Sequence, residues 1–278
     1  MGWFISSEIG ALVANRIALC IEYQGTGFNG WQAQKDAAIS TVQETLESAI
    51  SKVADQAIKV HCAGRTDKGV HASAQIVHFD TTNERPLKAW VKGCNALLPN
   101  TVVVRWAKQV DPDFHARFSA LSRRYCYLIY NNNIPSALLQ GQVSSHYFPL
   151  NEESMHDAGP FLLGERDFSS FRGAGCQSNT AMRNVSHIKV ERTGDFLKVD
   201  IRANAFLLHM VRNIVGVLLE VGEGQREPAW VKYLLEQKDR RQGGITAPPD
   251  GLYLLEVEYP DKYQLPAAPW VLPFFKSS

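Results

Sequence analysis

Runs of alternating and continuous apolar residues divide the first part of the chain into six predicted elements. The run 17–23 (IALCIEY) predicts a buried strand. Apolar residues then recur at helical spacing in 40–53 (STVQETLESAISKV), where Ser40 and Gln43 have the spacing of a capping box. The other elements are strands at 57–63 (AIKVHCA) and 73–81 (SAQIVHFDT), a helix at 86–98 (PLKAWVKGCNALL) and a strand at 101–110 (TVVVRWAKQV). The predicted order is β-α-β-β-α-β.

The second part of the chain repeats this order with insertions. A connector at 111–120 precedes it, and the Gly-rich segment 171–180 is typical of a long mobile loop. Gly159-Pro160 falls inside one predicted helix and puts the continuity of that helix in doubt. The elements are a strand at 123–130, a helix at 151–164, strands at 186–192 and 196–203, helices at 205–222 and 228–239, and a strand at 252–259.

Two split β-α-β units in tandem are the simplest account of this order. We therefore predict an α+β fold of two ferredoxin-like halves that form a continuous, mainly antiparallel sheet, with helices on one face and the other face open. The predicted halves are 15–111 and 112–260, with terminal extensions at 1–14 and 261–278. We expect the last segment to pack on the surface or on a partner subunit.

Composition narrows the class of protein. Lys plus Arg number 29 and Asp plus Glu number 28, so the net charge is near +1 and any nucleic-acid site must be local. The five cysteines are odd in number and form no Cys-x-x-Cys pair, which is typical of a reduced cytosolic protein and argues against a zinc site. No apolar run reaches the ~20 residues of a membrane span. We expect a cytoplasmic protein with no membrane and no metal partner.

The segment GTGFNG at 25–30 matches the glycine pattern of dinucleotide-binding loops. In such folds the third glycine lies in the first turn of a helix, whereas here the predicted helix starts about ten residues later. We interpret the segment instead as a glycine-rich loop that lets another group approach its backbone.

The segment GRTDKGVHA at 64–72, between the second and third predicted strands, is the strongest candidate site. Turn chemistry accounts for its glycines but not for Arg65 beside Asp67, nor for the nearby His71. Because an opposite charge favours the ionised carboxylate, Asp67 would suit nucleophilic or base chemistry. Asp67 is therefore the candidate nucleophile.

Two other elements carry candidate residues. Tyr125 and Tyr127 share one face of a predicted strand, directly after two arginines, so one ring could stack on a base while the other packs in the core. His209, Arg212 and Asn213 share a face of an otherwise apolar helix. Arg212 would be costly to bury without an anion, which is either a structural carboxylate or Asp67.

Five segments together resemble the motifs of the tRNA pseudouridine synthase A family, in order and in spacing. The resemblance runs from about Ile17 to about Pro260. The segments are CAGRTDKGVHA, DFHARFSALSRRYCYLIYN, LLGERDFSSFR, ANAFLLHMVRNIVG and APPDGLYL.

The resemblance implies an isomerase that converts uridine to pseudouridine on the 3′ side of the tRNA anticodon stem-loop (positions 38–40), without cofactor or metal. It also implies a central active-site cleft and a homodimer. The implied catalytic residues are Asp67 as nucleophile, Arg65 in the same motif, Tyr125 at the uracil and Arg212 facing Asp67. For contacts with the RNA we expect Tyr125, Lys68, His71, Arg172, Arg183, His209 and Asn213. Lys68 stands where the family pattern has Ala, and its charge would add a phosphate contact.

Two alternatives belong to other classes. A non-catalytic RNA-binding module uses the same folds and binds RNA through aromatic residues on the sheet, without any need for Asp67. A hydrolase would pair Asp67 with a histidine, but the sequence offers no second nearby carboxylate and no nucleophile motif. Whether the aspartate would attack the uracil or the ribose stays open.

Overall fold

The first part of the chain folds as the predicted β-α-β-β-α-β unit in a computed structural model, which describes residues 15–34 and 40–267. Most of both predicted terminal extensions, 1–14 and 268–278, lies outside the described residues. The elements are β1 (Asn15–Tyr23), α1 (Val42–Ala54), β2 (His61–Cys62), β3 (His71–Thr81), α2 (Leu87–Leu97) and β4 (Val102–Val110).

The second part contains the predicted strands and helices and two further short strands. Its elements are β5 (Ser122–Asn131), β6 (Ser144–His146), α3 (Glu152–Ala158), β7 (Gly164–Asp167), β8 (Met182–Thr193), β9 (Phe196–Ala203), α4 (Met210–Gly222), α5 (Trp230–Gln237) and β10 (Leu252–Glu258). Within the described residues no helix is long and apolar enough to cross a membrane.

One sheet holds the strands of both halves, in the order β4-β1-β3-β10-β5-β9-β8-β7, with β2 on β3 and β6 on β5. Among the described strands only β3–β10 and β5–β6 pair in parallel, so the predicted mainly antiparallel α+β fold is confirmed. The same edge of β3 pairs with β10 at its start and with β2 towards its end. The chain between β2 and β3 therefore leaves the sheet at the junction of the halves.

The main core lies on the helix-covered face and runs through both halves. Ile17, Leu19 and Ile21 point into this core, whereas Ala18 and Cys20 point to the opposite face of β1. The prediction of an open second face is wrong in part, because the connector and the residues after β10 cover it with side chains such as Phe114 and Tyr263. Covering on both faces explains why β3 is buried along almost its whole length.

Several boundaries differ from the prediction for local reasons. Helix α1 is capped by Thr41 rather than Ser40, since the Thr41 hydroxyl accepts a hydrogen bond from the Glu44 N–H. Strand β2 is short because Glu47 of α1 accepts the Val60 N–H (3.0 Å) that would otherwise join the ladder. Helix α3 ends at Ala158, and a 3-10 turn containing Pro160 follows it.

Candidate active site

A cleft of about 810 Å³ opens where the halves join. Its walls come from the segment between β2 and β3, from the start of β5 and from the segment that leads into α4. The lining includes Asp67, Arg65, Tyr125, Arg212 and His209. The tertiary structure thus brings together residues that lie far apart along the chain.

The loop that carries Asp67 is fixed through the residues just before Asp67. Buried Gln75 of β3 donates to the Gly64 carbonyl (2.5 Å) and accepts from the Gly64 N–H (3.3 Å). The buried Thr66 hydroxyl lies 2.7 Å from the Tyr23 hydroxyl, and the Thr66 carbonyl accepts from the Trp31 N–H at 3.0 Å. These bonds hold the backbone of Asp67 in one place.

The loop GTGFNG supports the Asp67 loop by direct backbone approach. A Cβ atom on Gly25 would lie 2.0 Å from the Val70 carbonyl oxygen, and one on Gly30 would lie 2.9 Å from the Thr66 carbonyl oxygen. Gly30 also has φ +85°, which favours glycine. The prediction of a close approach to this backbone is confirmed, and the group that approaches is the Asp67 loop.

Asp67 meets two side chains from the second half. Arg212 Nη1 donates to Asp67 Oδ2 at 3.1 Å, and His209 Nε2 lies 3.3 Å from the same oxygen. The Ala247 carbonyl accepts from Arg212 Nε at 2.8 Å, so the guanidinium is held from a second side. No residue in the described ranges donates a hydrogen bond to Asp67 Oδ1, which leaves one carboxylate oxygen available to a ligand in the cleft.

His209 reaches Asp67 because α4 starts later than predicted. The sequence placed His209 inside a helix from 205, but it precedes Met210 in the left-handed conformation, with φ +59°. Gly173 lies against this turn: its N–H donates to the Leu208 carbonyl at 2.8 Å, and a Cβ there would lie 3.0 Å from His209 Nδ1. An uncommon backbone conformation is thus stabilised at the site.

Arg65 is not the partner of Asp67. Its side chain is exposed at the cleft, and no hydrogen bond or ion pair involves it within residues 15–34 and 40–267. The expectation that Arg65 neutralises the neighbouring carboxylate is therefore wrong in this geometry, and Arg212 takes that position.

Tyr125 presents its hydroxyl rather than its ring to the cleft. The residue is 8% exposed, and its ring meets Phe206 edge to face at 5.0 Å. Its hydroxyl has no hydrogen bond in the described part of the chain, whereas the Tyr127 hydroxyl donates to the Pro248 carbonyl at 2.8 Å. Burial raises the pKa of Tyr125 well above its usual value, so the phenol is neutral.

Four of the residues expected to contact RNA are engaged within the protein. His71 is 2% exposed, accepts from the Gly25 N–H at Nδ1 (3.0 Å) and therefore donates from Nε2 to the Asp250 carbonyl (3.1 Å). Asn213 is 1% exposed and bonds to Phe171, Arg240 and Thr246. Arg172 and Arg183 donate to backbone and hydroxyl groups of the loop 176–182. These contacts position the site and do not support direct RNA binding, except that Arg183 also lines the cleft.

Besides Tyr125, two of the residues expected to contact RNA remain, and they lie in different places relative to the cleft. His209 lines the cleft, as described above, whereas Lys68 is exposed and lies outside the cleft lining. A phosphate contact of Lys68 stays a prediction.

Sequence reasoning missed the role of Arg123. Its buried guanidinium donates to the Ala63 carbonyl (3.0 Å) at the base of the Asp67 loop and to the Arg117 carbonyl (2.7 Å) in the connector. The neighbouring Arg124 points to the opposite face and pairs with Asp200. The alternation of a strand could have separated these two arginines, but not the carbonyl groups that Arg123 binds.

The family model and the relatives found by sequence agree on one family. A family model described as tRNA pseudouridine synthase matches residues 19–119 and 161–260. A protein of Aliivibrio fischeri named tRNA pseudouridine synthase A is 56% identical over 254 residues, which are 91% of this chain and 96% of that protein. One of the same name from Coxiella burnetii is 52% identical over 260 residues, covering 94% and 98%. Among solved structures, a chain of a Cbf5-Nop10-Gar1 complex aligns with 73% of this chain and 45% of its own length, at 13% identity and a TM-score of 0.31.

Gly25→Ala should destabilise the protein, because its Cβ would collide with the Val70 carbonyl and force the Asp67 loop to move. We expect a loss of about 1–3 kcal/mol in the free energy of unfolding, measured by urea denaturation. Gly27→Ala is the matched control, since a Cβ there meets nothing within 4 Å. Equal stability of the two variants would contradict the close-approach role of Gly25.

Proposed function

The chain belongs to the tRNA pseudouridine synthase family and isomerises uridine to pseudouridine in tRNA, and from this premise we propose that the cleft is the reaction site and Asp67 its nucleophile. The reaction breaks the bond between C1′ of the ribose and N1 of the uracil and forms one between C1′ and C5. C5 loses its hydrogen and N1 gains one, so atoms balance without a cofactor. A paired uridine must leave its stem to enter the cleft, at a cost of about a few kcal/mol.

The observation that carries the Asp67 proposal is the unequal surroundings of its two oxygens. Oδ2 receives the Arg212 hydrogen bond and lies near His209, whereas Oδ1 has no hydrogen bond among the described residues. The fixed oxygen orients the carboxylate, and the other one can attack. Such an oxygen can add to the uracil ring or act at C1′ of the ribose, and both routes use the same geometry.

We assign different tasks to the two arginines. Arg212 positions Asp67 and compensates its charge, since it is held from two sides and sits inside the cleft wall. Arg65 is exposed at the same cleft, so we propose that it contacts the tRNA backbone beside the target nucleotide.

Tyr125 completes the proposed chemistry through its hydroxyl. The ring packs edge to face on Phe206, and the hydroxyl has no hydrogen bond among the described residues, which leaves it available to a uracil in the cleft. Because burial raises the pKa of Tyr125, the neutral phenol is the working form. We propose that it hydrogen-bonds to the detached uracil and relays the C5 proton, so that the base can rejoin through C5.

The choice of tRNA region rests on the resemblance alone. We propose that the target uridines lie on the 3′ side of the anticodon stem-loop (positions 38–40) and that the protein works in the cytoplasm. A target next to a loop fits the chemistry, since a nucleotide near a stem end is cheaper to flip out. Since the net charge is near +1, phosphate binding depends on local cationic side chains such as Arg65 and Lys68.

Asp67→Asn should abolish isomerisation while leaving tRNA binding in place, because the amide keeps the shape of the side chain but is not a nucleophile. The measurement is tritium release from tRNA labelled at C5 of uridine, without added metal, beside a filter-binding assay. We expect release to fall by at least about 1,000-fold. If the variant released tritium at the native rate, Asp67 would not be the nucleophile.

Tyr125→Phe should slow tritium release by about 100-fold or more with little change in tRNA affinity, since the ring still packs on Phe206 but the hydroxyl is lost. The pH profile of the native enzyme should show no rise near pH 10, because the raised pKa of Tyr125 keeps the phenol protonated there. Near-native release by Tyr125→Phe would contradict the relay.

We propose, from the resemblance, that the protein acts as a homodimer. Sedimentation equilibrium should then give twice the chain mass of 31.0 kDa. A single-chain mass at assay concentrations would contradict the dimer.

A further inference from the structure

A series of aromatic rings leads from the sheet to the rim of the cleft. Buried His78 of β3 packs against His61 at 5.0 Å and against His115 at 4.6 Å between ring centroids. The ring of Phe118 lies 4.4 Å beyond His115. Phe118 is 74% exposed, although its ring contacts His115, which in turn packs on buried His78.

The backbone beneath Phe118 is fixed by hydrogen bonds. His115 N–H donates to the Ser119 hydroxyl at 2.9 Å, and Ser119 N–H donates back to the His115 carbonyl at 2.9 Å. His115 Nδ1 accepts from the N–H groups of Arg117 (3.1 Å) and Phe118 (3.3 Å). An exposed aromatic ring on a rigid turn presents apolar surface with little conformational entropy left to lose on binding.

One guanidinium connects this turn to the catalytic loop. Arg123 donates from the same Nη2 atom to the Arg117 carbonyl and to the Ala63 carbonyl, one residue before the loop that carries Asp67. Phe118, Arg117 and Asp67 all line the same cleft. The position of the Phe118 ring is therefore set relative to the proposed nucleophile.

We propose that Phe118 is a stacking platform for a tRNA base adjacent to the uridine that enters the cleft, an assignment that rests on the cleft being the reaction site. The Arg117 guanidinium lies 5.5 Å from the Phe118 ring centroid, where it also attracts the phosphates. When a nucleotide flips out, its neighbour loses a stacking partner, and an aromatic ring at the rim restores that contact.

The chemistry of the supporting rings fits stacking rather than charge. Burial lowers the pKa of His78 to about 3, and burial, with the charges of His61 and Arg16, lowers that of His115. These two imidazoles are therefore neutral at the pH of an ordinary assay. The neutral rings of His78 and His115 hold the Phe118 ring in place without competing with Arg117 for the phosphates.

The test compares tRNA affinity and turnover among variants at Phe118. Phe118→Ala and Phe118→Leu should weaken binding of a transcribed tRNA by about 5- to 100-fold, as for loss of one base–aromatic stack, and Phe118→Tyr should bind as the native protein does. In Phe118→Ala and Phe118→Leu the KM for tRNA should rise, whereas kcat for tritium release should change by less than about threefold. Phe148→Ala is the matched control, since Phe148 is also exposed (59%) but does not line the cleft.

Several results would overturn the platform. Native affinity in Phe118→Ala, or in Phe118→Leu, would show that no aromatic stack is lost. A fall in kcat at unchanged affinity, or weak binding by Phe118→Tyr, would show a structural role for the ring. The Asp67 assignment is tested separately, because Asp67→Asn changes release whether or not Phe118 stacks on RNA.

Discussion

The ion pair between Asp67 and Arg212 joins two points of the chain that are 145 residues apart, and it holds a carboxylate in the wall of the cleft. Neither charge could be enclosed alone, because an unpaired ion in a protein interior carries a large desolvation cost. The pair forms only if the halves meet in one register, which the parallel pairing of β10 with β3 provides. The junction of the sheet and the position of Asp67 therefore depend on the same arrangement.

Close contacts between backbone segments hold both Asp67 and Arg212 in position. Gly25 and Gly30 lie against the Asp67 loop, and a Cβ on Gly216 of α4 would lie 1.7 Å from the Ile245 carbonyl. That contact lets the segment before β10 reach α4, where the Ala247 carbonyl accepts from Arg212. Glycines thus replace side-chain packing wherever a loop must reach the site.

The distribution of charge fits a site that binds RNA without an overall basic surface. The guanidiniums near the cleft fall into two groups: those fully engaged with carbonyls or a carboxylate, such as Arg123 and Arg212, and exposed ones, such as Arg65 and Arg117. The first group fixes the loops, and the second is free to meet phosphates. A net charge near +1 is consistent with phosphate binding by a few local residues.

The sequence by itself determined the order of the strands and helices and the α+β class, because periodicity encodes them, and its motifs marked Asp67, Tyr125 and Arg212 as candidate residues. It left Arg65 and Arg212 as candidate partners of Asp67, since it offers no distance between residues far apart along the chain. Only the tertiary structure decided that Arg212, with His209, lies at Asp67 and that Asn213 and His71 bond inside the protein. The sequence also did not reveal the late start of α4 or the two hydrogen bonds that Arg123 donates to the Ala63 and Arg117 carbonyls. Both features depend on backbone groups contributed by distant segments.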